Sequence, residues 1–227
     1  MIKSVCAALA AVLAIAPLPS HAALIFSADS VATSAVNPAV DAPWLGPVER
    51  LIDQSGLVTP YVSGVTDFSA YVAVAEAVSG TQPATERLAS LGKPLPIIVD
   101  FSFASSVDIA HVAIWNQAGS ASLEAFRLFS TADGSFTDLA LVADTSVPQA
   151  TTLGLATVID IAAPASRGIR MEILSTHGFS PDVRFNEIAF GGDAAAMSAI
   201  PVPAAAWLLA GGFGLLATGG RRDRRTN

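Results

Sequence analysis

Beyond the first 22 residues the chain holds two histidines, His111 and His177, and no cysteine, because Cys6 is its only thiol. That inventory limits covalent chemistry. The sequence contains no G-x-S-x-G nucleophile elbow, no H-E-x-x-H metal pair and no G-x-x-x-x-G-K-[ST] phosphate loop. With two imidazoles and no thiol, most hydrolytic arrangements lack their parts. Paired carboxylates stay open as a chemistry, since acids are plentiful and their separations are not readable from sequence. A lone His on a strand, such as His111, is usually a satisfied structural residue. No enzyme is expected. The chemistry these side chains favour is recognition. Trp44, Tyr61, Tyr71, Arg87 and His177 fall in stretches that read as loops. Aromatic faces stack on sugar rings, and a guanidinium hydrogen-bonds to hydroxyls or carboxylates. Trp44 follows the turn-forming Asp41-Ala42-Pro43 and suits a cap on the core equally well. His177 sits in the polar turn Ser175-Thr176-His177-Gly178-Phe179-Ser180-Pro181-Asp182, where it could form part of a binding rim. Asp41 and Asp53 could join backbone carbonyls around a structural Ca²⁺, which prefers oxygen ligands. No D-x-D-type loop supports them, so no metal site is assigned.

The elements that must carry these residues read as strands from about residue 96 onward. Pro96-IIVDF-Ser102 is apolar and β-branched, and Val107 to Trp115 follows after a short turn. Ser122 to Ser130, Phe136 to Val142, Leu155 to Ile161, Gly168 to Leu174 and Val183 to Phe190 continue the series. Gly, Pro, Asp and Ser clusters separate these runs, and helical periodicity is hard to find between residues 96 and 192. Val112 and Ile114 fall on one strand face, with His111, Ala113 and Trp115 on the other. Ile169, Met171 and Ile173 share a face opposite Arg170 and Glu172. Asp133-Gly134 marks a hairpin, because glycine accepts positive φ without steric cost. The expectation is an all-β sandwich of two stacked sheets with loops at both ends. Residues 30 to 95 are richer in Ala, Ser, Gly and Pro. They are expected to hold one or two early strands, long loops and a short helix near Pro47 to Ile52.

The order IIVDF, DIAHVAIWN, FRLFSTADGSFTDL, RGIRMEIL and VRFNEIAFGG resembles the discoidin or coagulation-factor C-type module, one of the galactose-binding-like jelly rolls. Ser130 to Phe136 stands for that family's S-x-DG hairpin, with Phe136 near its usual Trp. Asn186-Glu187-Ile188 stands for its closing strand. The flanking cysteines common in animal members are absent, and the match is loose before residue 96. The resemblance implies a jelly-roll β-sandwich whose ligands meet the loops at one end. Some galactose-binding-like folds also hold calcium.

The two ends of the chain speak about location. Lys3, the apolar stretch Val5 to Leu18 and the small residues at Ser20-His21-Ala22 form a secretory signal peptide, with cleavage expected between Ala22 and Ala23. Near the other end, Ala204 to Gly220 is seventeen residues without a charge, followed by Arg221, Arg222, Arg224 and Arg225. As a helix it would span roughly 25 Å, at the lower limit for crossing a bilayer core. An arginine cluster beyond such a segment stays cytoplasmic and stops transfer. Ile200-Pro201-Val202-Pro203-Ala204, the apolar run and the arginines together resemble the PEP-CTERM sorting signal in its VPLPA variant. That resemblance implies an exosortase substrate, sorted to the envelope or exported. A plain C-terminal anchor shares the same topology and differs only in whether the tail survives.

Charge narrows the partners. Between Ala23 and Ala199 there are seven Lys or Arg against eighteen Asp or Glu, a balance of −11. Such a body is a poor binder of nucleic acid and is repelled by anionic lipid. The sequence therefore divides into a signal peptide (1–22), a discoidin-like sandwich (23–193), a linker with the sorting motif (194–203), a transmembrane helix (204–220) and a basic cytoplasmic tail (221–227). The expected partners are signal peptidase and the secretion machinery, exosortase, the membrane and an extracellular polysaccharide. A structural surface protein that binds no small ligand is the alternative. A secreted carbohydrate-active enzyme is a third reading, disfavoured by the scarcity of catalytic groups.

Overall fold

The computed structural model describes residues 22–35, 46–78, 89–92, 94–149, 154–178 and 182–194. The signal peptide before Ala22, the sorting motif, Ala204 to Gly220 and the arginine cluster lie outside those residues. Among the described residues no helix is long and apolar enough to cross a membrane.

Eight antiparallel strands carry the fold: β1 (Leu24–Phe26), β2 (Ser30–Thr33), β3 (Ala89–Gly92), β4 (Ile97–Asn116), β5 (Ala125–Thr131), β6 (Ala140–Ser146), β7 (Thr157–Ile173) and β8 (Asp182–Ala194). They join in one ladder of order β1-β8-β4-β7-β5-β6, with β2 on β4 and β3 on β8. The expected separate runs 96–102 and 107–115 are one long strand, as are 155–161 and 168–174. Register shifts between Ser102 and Val107, and again between Ile109 and His111, bend the β4·β7 ladder. A bulge bends a strand and raises its twist. Ala165, at φ 48°, lies on β7 at that bend.

The bend folds the ladder over on itself. One half holds β2, Ile97–Ser102, Gly168–Ile173, β5 and β6; the other holds β1, β3, β8, Val107–Asn116 and Thr157–Ser166. Phe101 from the first half meets Phe190 from the second edge to face, at 5.4 Å between centroids. Phe103 meets the same ring at 5.1 Å. The predicted alternation fills the space between the halves. Ile97, Val99, Phe101, Phe126, Leu128, Ile169, Met171 and Ile173 pack against Val112, Ile114, Val183, Phe185 and Ile188 in one apolar cluster. Each such side chain contributes roughly 1.5–3 kcal/mol on burial.

The other face of the second half is not left to solvent. Residues 54–78 lie across it as an outer layer that holds one short helix, α1 (Phe68–Val72). Just before it, a 3-10 turn at Val48–Leu51 packs Leu51 into the cluster between the halves. The turn falls where a short helix was expected; α1 was not foreseen. Asp67 caps α1 by accepting from the Ala70 N–H at 2.7 Å. Ile25, Leu57, Tyr61, Phe68, Tyr71, Ala113, Trp115 and Ala189 form a second apolar cluster under this layer. The Trp115 indole N–H donates to the Ala75 carbonyl at 2.9 Å. Gly191 leaves room for Phe68, whose ring would stand 2.6 Å from an added Cβ.

The hairpin at Asp133-Gly134 is present, with Gly134 at φ 73°. It runs longer than alternation indicates, and β6 begins at Ala140 rather than Phe136. The Asp133 carboxylate takes hydrogen bonds from Thr131 and Ser135, and Ser135 continues to Thr137. Those bonds hold the carboxyl down at about pKa 2 and carry the turn past Phe136.

Candidate functional site

One end of the sandwich gathers loops from both halves. There β4 ends, β5 starts, β6 ends, and residues 174–178 follow β7. Local polar contacts set this rim. Asn116 closes the loop after β4 by donating from its amide to Leu123 O at 2.8 Å and accepting from Leu123 N–H at 3.0 Å. Ser122 donates to Gly119 O at 2.6 Å. Residues 174–178 then stitch onto that loop. Leu123 bridges Thr176, Ser122 bridges Arg184, and the His177 N–H donates to Ser122 O at 3.2 Å. Gly178 allows the approach, since a Cβ there would stand 2.6 Å from the Ser120 Cβ.

His177 belongs to this rim, half-buried. Its Nε2 lies 2.8 Å from Val147 O. A carbonyl only accepts, so Nε2 carries a proton and Nδ1 stays outside that bond. Glu124 accepts from Ser175 Oγ at 2.8 Å. Asp182 is buried and accepts from Ser90 Oγ and Arg184 Nε, both at 2.6 Å. The Arg184 side chain keeps 29 % of its surface. Gln117 has a buried Oε1 with no hydrogen-bond partner. The arrangement holds donors and acceptors of both kinds on a braced frame.

Of the residues named from the sequence, His177 does lie on a turn at this end, and Gln117, Glu124 and Arg184 beside it were not among those named. The polar run Asn116-Gln117-Ala118-Gly119-Ser120 was their available signal. Trp44 and Arg87 lie outside the described residues. The residues two positions after each, Gly46 and Ala89, form a parallel bridge with one another.

Tyr61 and Tyr71 require a correction. They are core residues, 6 % and 8 % exposed, and not loop-borne stacking platforms. Their rings meet edge to face at 5.3 Å, and Tyr71 meets Trp115 at 6.2 Å. The Tyr71 hydroxyl donates to Thr59 O. The physical reason is the outer layer, which turns a loop-like stretch into a lid over the second half of the sheet.

Beneath that lid sits a second polar group. Glu187, opposite Trp115 in the ladder, is fully buried. Its Oε2 accepts from the Gln54 N–H at 2.9 Å, while Oε1 has no partner. Gln54 itself stands at φ 63° and accepts from Tyr61 N–H through Oε1 at 2.7 Å. Burial drives the Glu187 carboxyl well above the ordinary carboxylate range; the Gln54 bond opposes this and nearby Asp53 adds to it. Burial and Glu187 together push Tyr71 up to about 12 and raise Tyr61 as well.

Of the two aspartates suggested for calcium, Asp41 lies outside the described residues. Asp53 spends Oδ2 on Arg50 at 2.7 Å and Oδ1 on the Ser55 N–H and hydroxyl. Among the described residues no three His, Cys, Asp or Glu side chains group as metal ligands.

No family model matches the chain, and no curated protein matches it. Several solved structures share a similar course of chain. The C-terminal domain of a chitobiase from Bacteroides fragilis is 13% identical, covering 74% of this chain and 97% of its own, with a TM-score of 0.49. A chitosan-binding module from a chitosanase/glucanase of Paenibacillus sp. IK-5 is 13% identical, covering 75% and 99%, with a TM-score of 0.48. The family 32 CBM from C. perfringens NanJ, in complex with galactose, is 9% identical, covering 74% and 99%, with a TM-score of 0.47.

Proposed function

We propose that this chain is an exported, envelope-associated protein whose galactose-binding-like sandwich binds polysaccharide without transforming it. Its C-terminal segment anchors it in the membrane and serves as an exosortase sorting signal. The observation that carries the binding reading is the braced loop end. His177 and Glu124 stand there on loops pinned by backbone pairing, with Arg184 at the start of β8 bridged to Ser122, and sugar hydroxyls need both donors and acceptors held in place. The resemblance to discoidin-type modules supports the same end of the sandwich. Export rests on the signal peptide, and anchoring on the apolar run with its arginines.

The test is a glycan array probed with the mature protein and with His177→Ala, Arg184→Ala and Trp44→Ala. Binding that weakens in these variants, with the unfolding midpoint retained, supports the site. No binding across a broad set of glycans overturns it. The structural reading would then stand, favoured by one feature of the rim: His177 and Glu124 already spend atoms on Val147 and Ser175.

A further inference from the structure

The outer layer 54–78 has two sides. Leu57, Tyr61, Phe68 and Tyr71 face the sheet and are buried. Val58, Val62, Val65 and Val74 are 61 %, 61 %, 69 % and 74 % exposed. These four make up most of the exposed large apolar side chains among the described residues. Single exposed apolar residues are ordinary, but several on one layer mark a surface that meets something apolar.

We propose that this valine face lies on the lipid surface beside the protein's own anchor for as long as the tail is uncleaved. Two observations name the occupant. The first is where the described fold ends. The turn 62–66 is tied to β1 by Gly64 N–H to Ile25 O at 2.8 Å and Ile25 N–H to Thr66 O at 2.9 Å. β1 in turn pairs Leu24 with Gly192, two residues before β8 ends at Ala194. The turn that carries Val62 and Val65 therefore lies across β1 from the last residues of β8, where the chain leaves the fold. The second is reach. Nine residues separate Ala194 from the apolar run at Ala204. Fully extended they span at most roughly 35 Å, so an inserted anchor keeps this corner of the domain close to the bilayer.

Charge selects the kind of surface. No Lys or Arg occurs between residues 51 and 86, and Asp53, Asp67, Glu76 and Glu86 do. Anionic headgroups are disfavoured, and the contact rests on apolar burial against zwitterionic lipid. The inference depends on the anchoring part of the proposed function and not on polysaccharide binding.

The mature chain has no cysteine, so single labels report position directly. The full mature protein is reconstituted into phosphatidylcholine vesicles as Val62→Cys, Val65→Cys or Val74→Cys, each carrying an environment-sensitive fluorophore. Thr137→Cys, on the exposed β5–β6 hairpin, is the reference. Headgroup-proximal spin-labelled lipid should quench the three valine-site labels several-fold more than the reference, with aqueous iodide giving the reverse order. Protein that stays in the vesicles through alkaline carbonate while all four labels behave alike overturns the lipid contact alone. Protein that carbonate removes overturns the anchor, and the contact with it.

Discussion

Glu187→Gln tests the buried carboxyl most directly. Burial raises this group above its ordinary range, so the folded chain holds a proton that the unfolded chain releases. Between the unfolded and folded titration points the folded state binds more protons, and stability falls as pH rises. The fall is at most about 1.4 kcal/mol per pH unit. Below the unfolded titration point the two states are equally protonated and the contribution is flat. Glutamine has nearly the same shape and keeps an oxygen for the Gln54 N–H. Its amide would face the same partnerless space as the Glu187 Oε1. The variant should match wild type near pH 4 and gain on it steadily towards pH 8, with a shallower stability profile. Denaturant unfolding across that range reads this as a midpoint shift at unchanged m. A wild type that is the more stable of the two at pH 8 would refute the reasoning. It would mean that the carboxylate is ionised when folded, with a cationic partner at Oε1.

Other perturbations separate backbone from side-chain obstacles. Gly192→Ala places a Cβ 2.0 Å from the Asp108 carbonyl oxygen, and Gly168→Ala one 2.7 Å from the Phe136 ring. The carbonyl belongs to the ladder and cannot swing away, so Gly192→Ala should lower Tm much further than Gly168→Ala. Trp115→Phe leaves the Ala75 carbonyl unpaired under the outer layer; a loss of about 1–3 kcal/mol is expected from that bond alone, read as a lower denaturant midpoint. Intact mass of the protein from native cells should begin at Ala23 and end near residue 200. A species retaining Arg221 to Arg225, found in membranes alone, would make the tail an ordinary anchor.

Much of the sandwich was legible because strand alternation has a short, local cause. Val112 and Ile114 point one way and Ala113 and Trp115 the other wherever the backbone is extended, and Asp133-Gly134 turns wherever it stands. The β6 boundary was misplaced because side-chain bonds from Asp133 and Ser135 prolong the turn, and such bonds leave no periodic signal. The turn that carries His177 was legible because a polar run with glycine announces itself. Arg184 was passed over because its role depends on Asp182 and on a loop more than 60 residues earlier.

The sequence by itself determined the inventory of chemistry, the strand faces, the acidic body and the contrast between that body and its ends. Each of these follows from residue type and from spacing over a few positions. The tertiary structure decided what lies inside. Whether a tyrosine in a loop-like stretch stacks on a ligand or seals a core depends on whether another layer covers it. Tyr61 and Tyr71 are buried because residues 54–78 return across the sheet. Glu187 is perturbed for the same reason. Water is excluded by residues more than 100 positions away in the chain, and exclusion from water is a property of the assembled fold, which no short stretch of sequence contains.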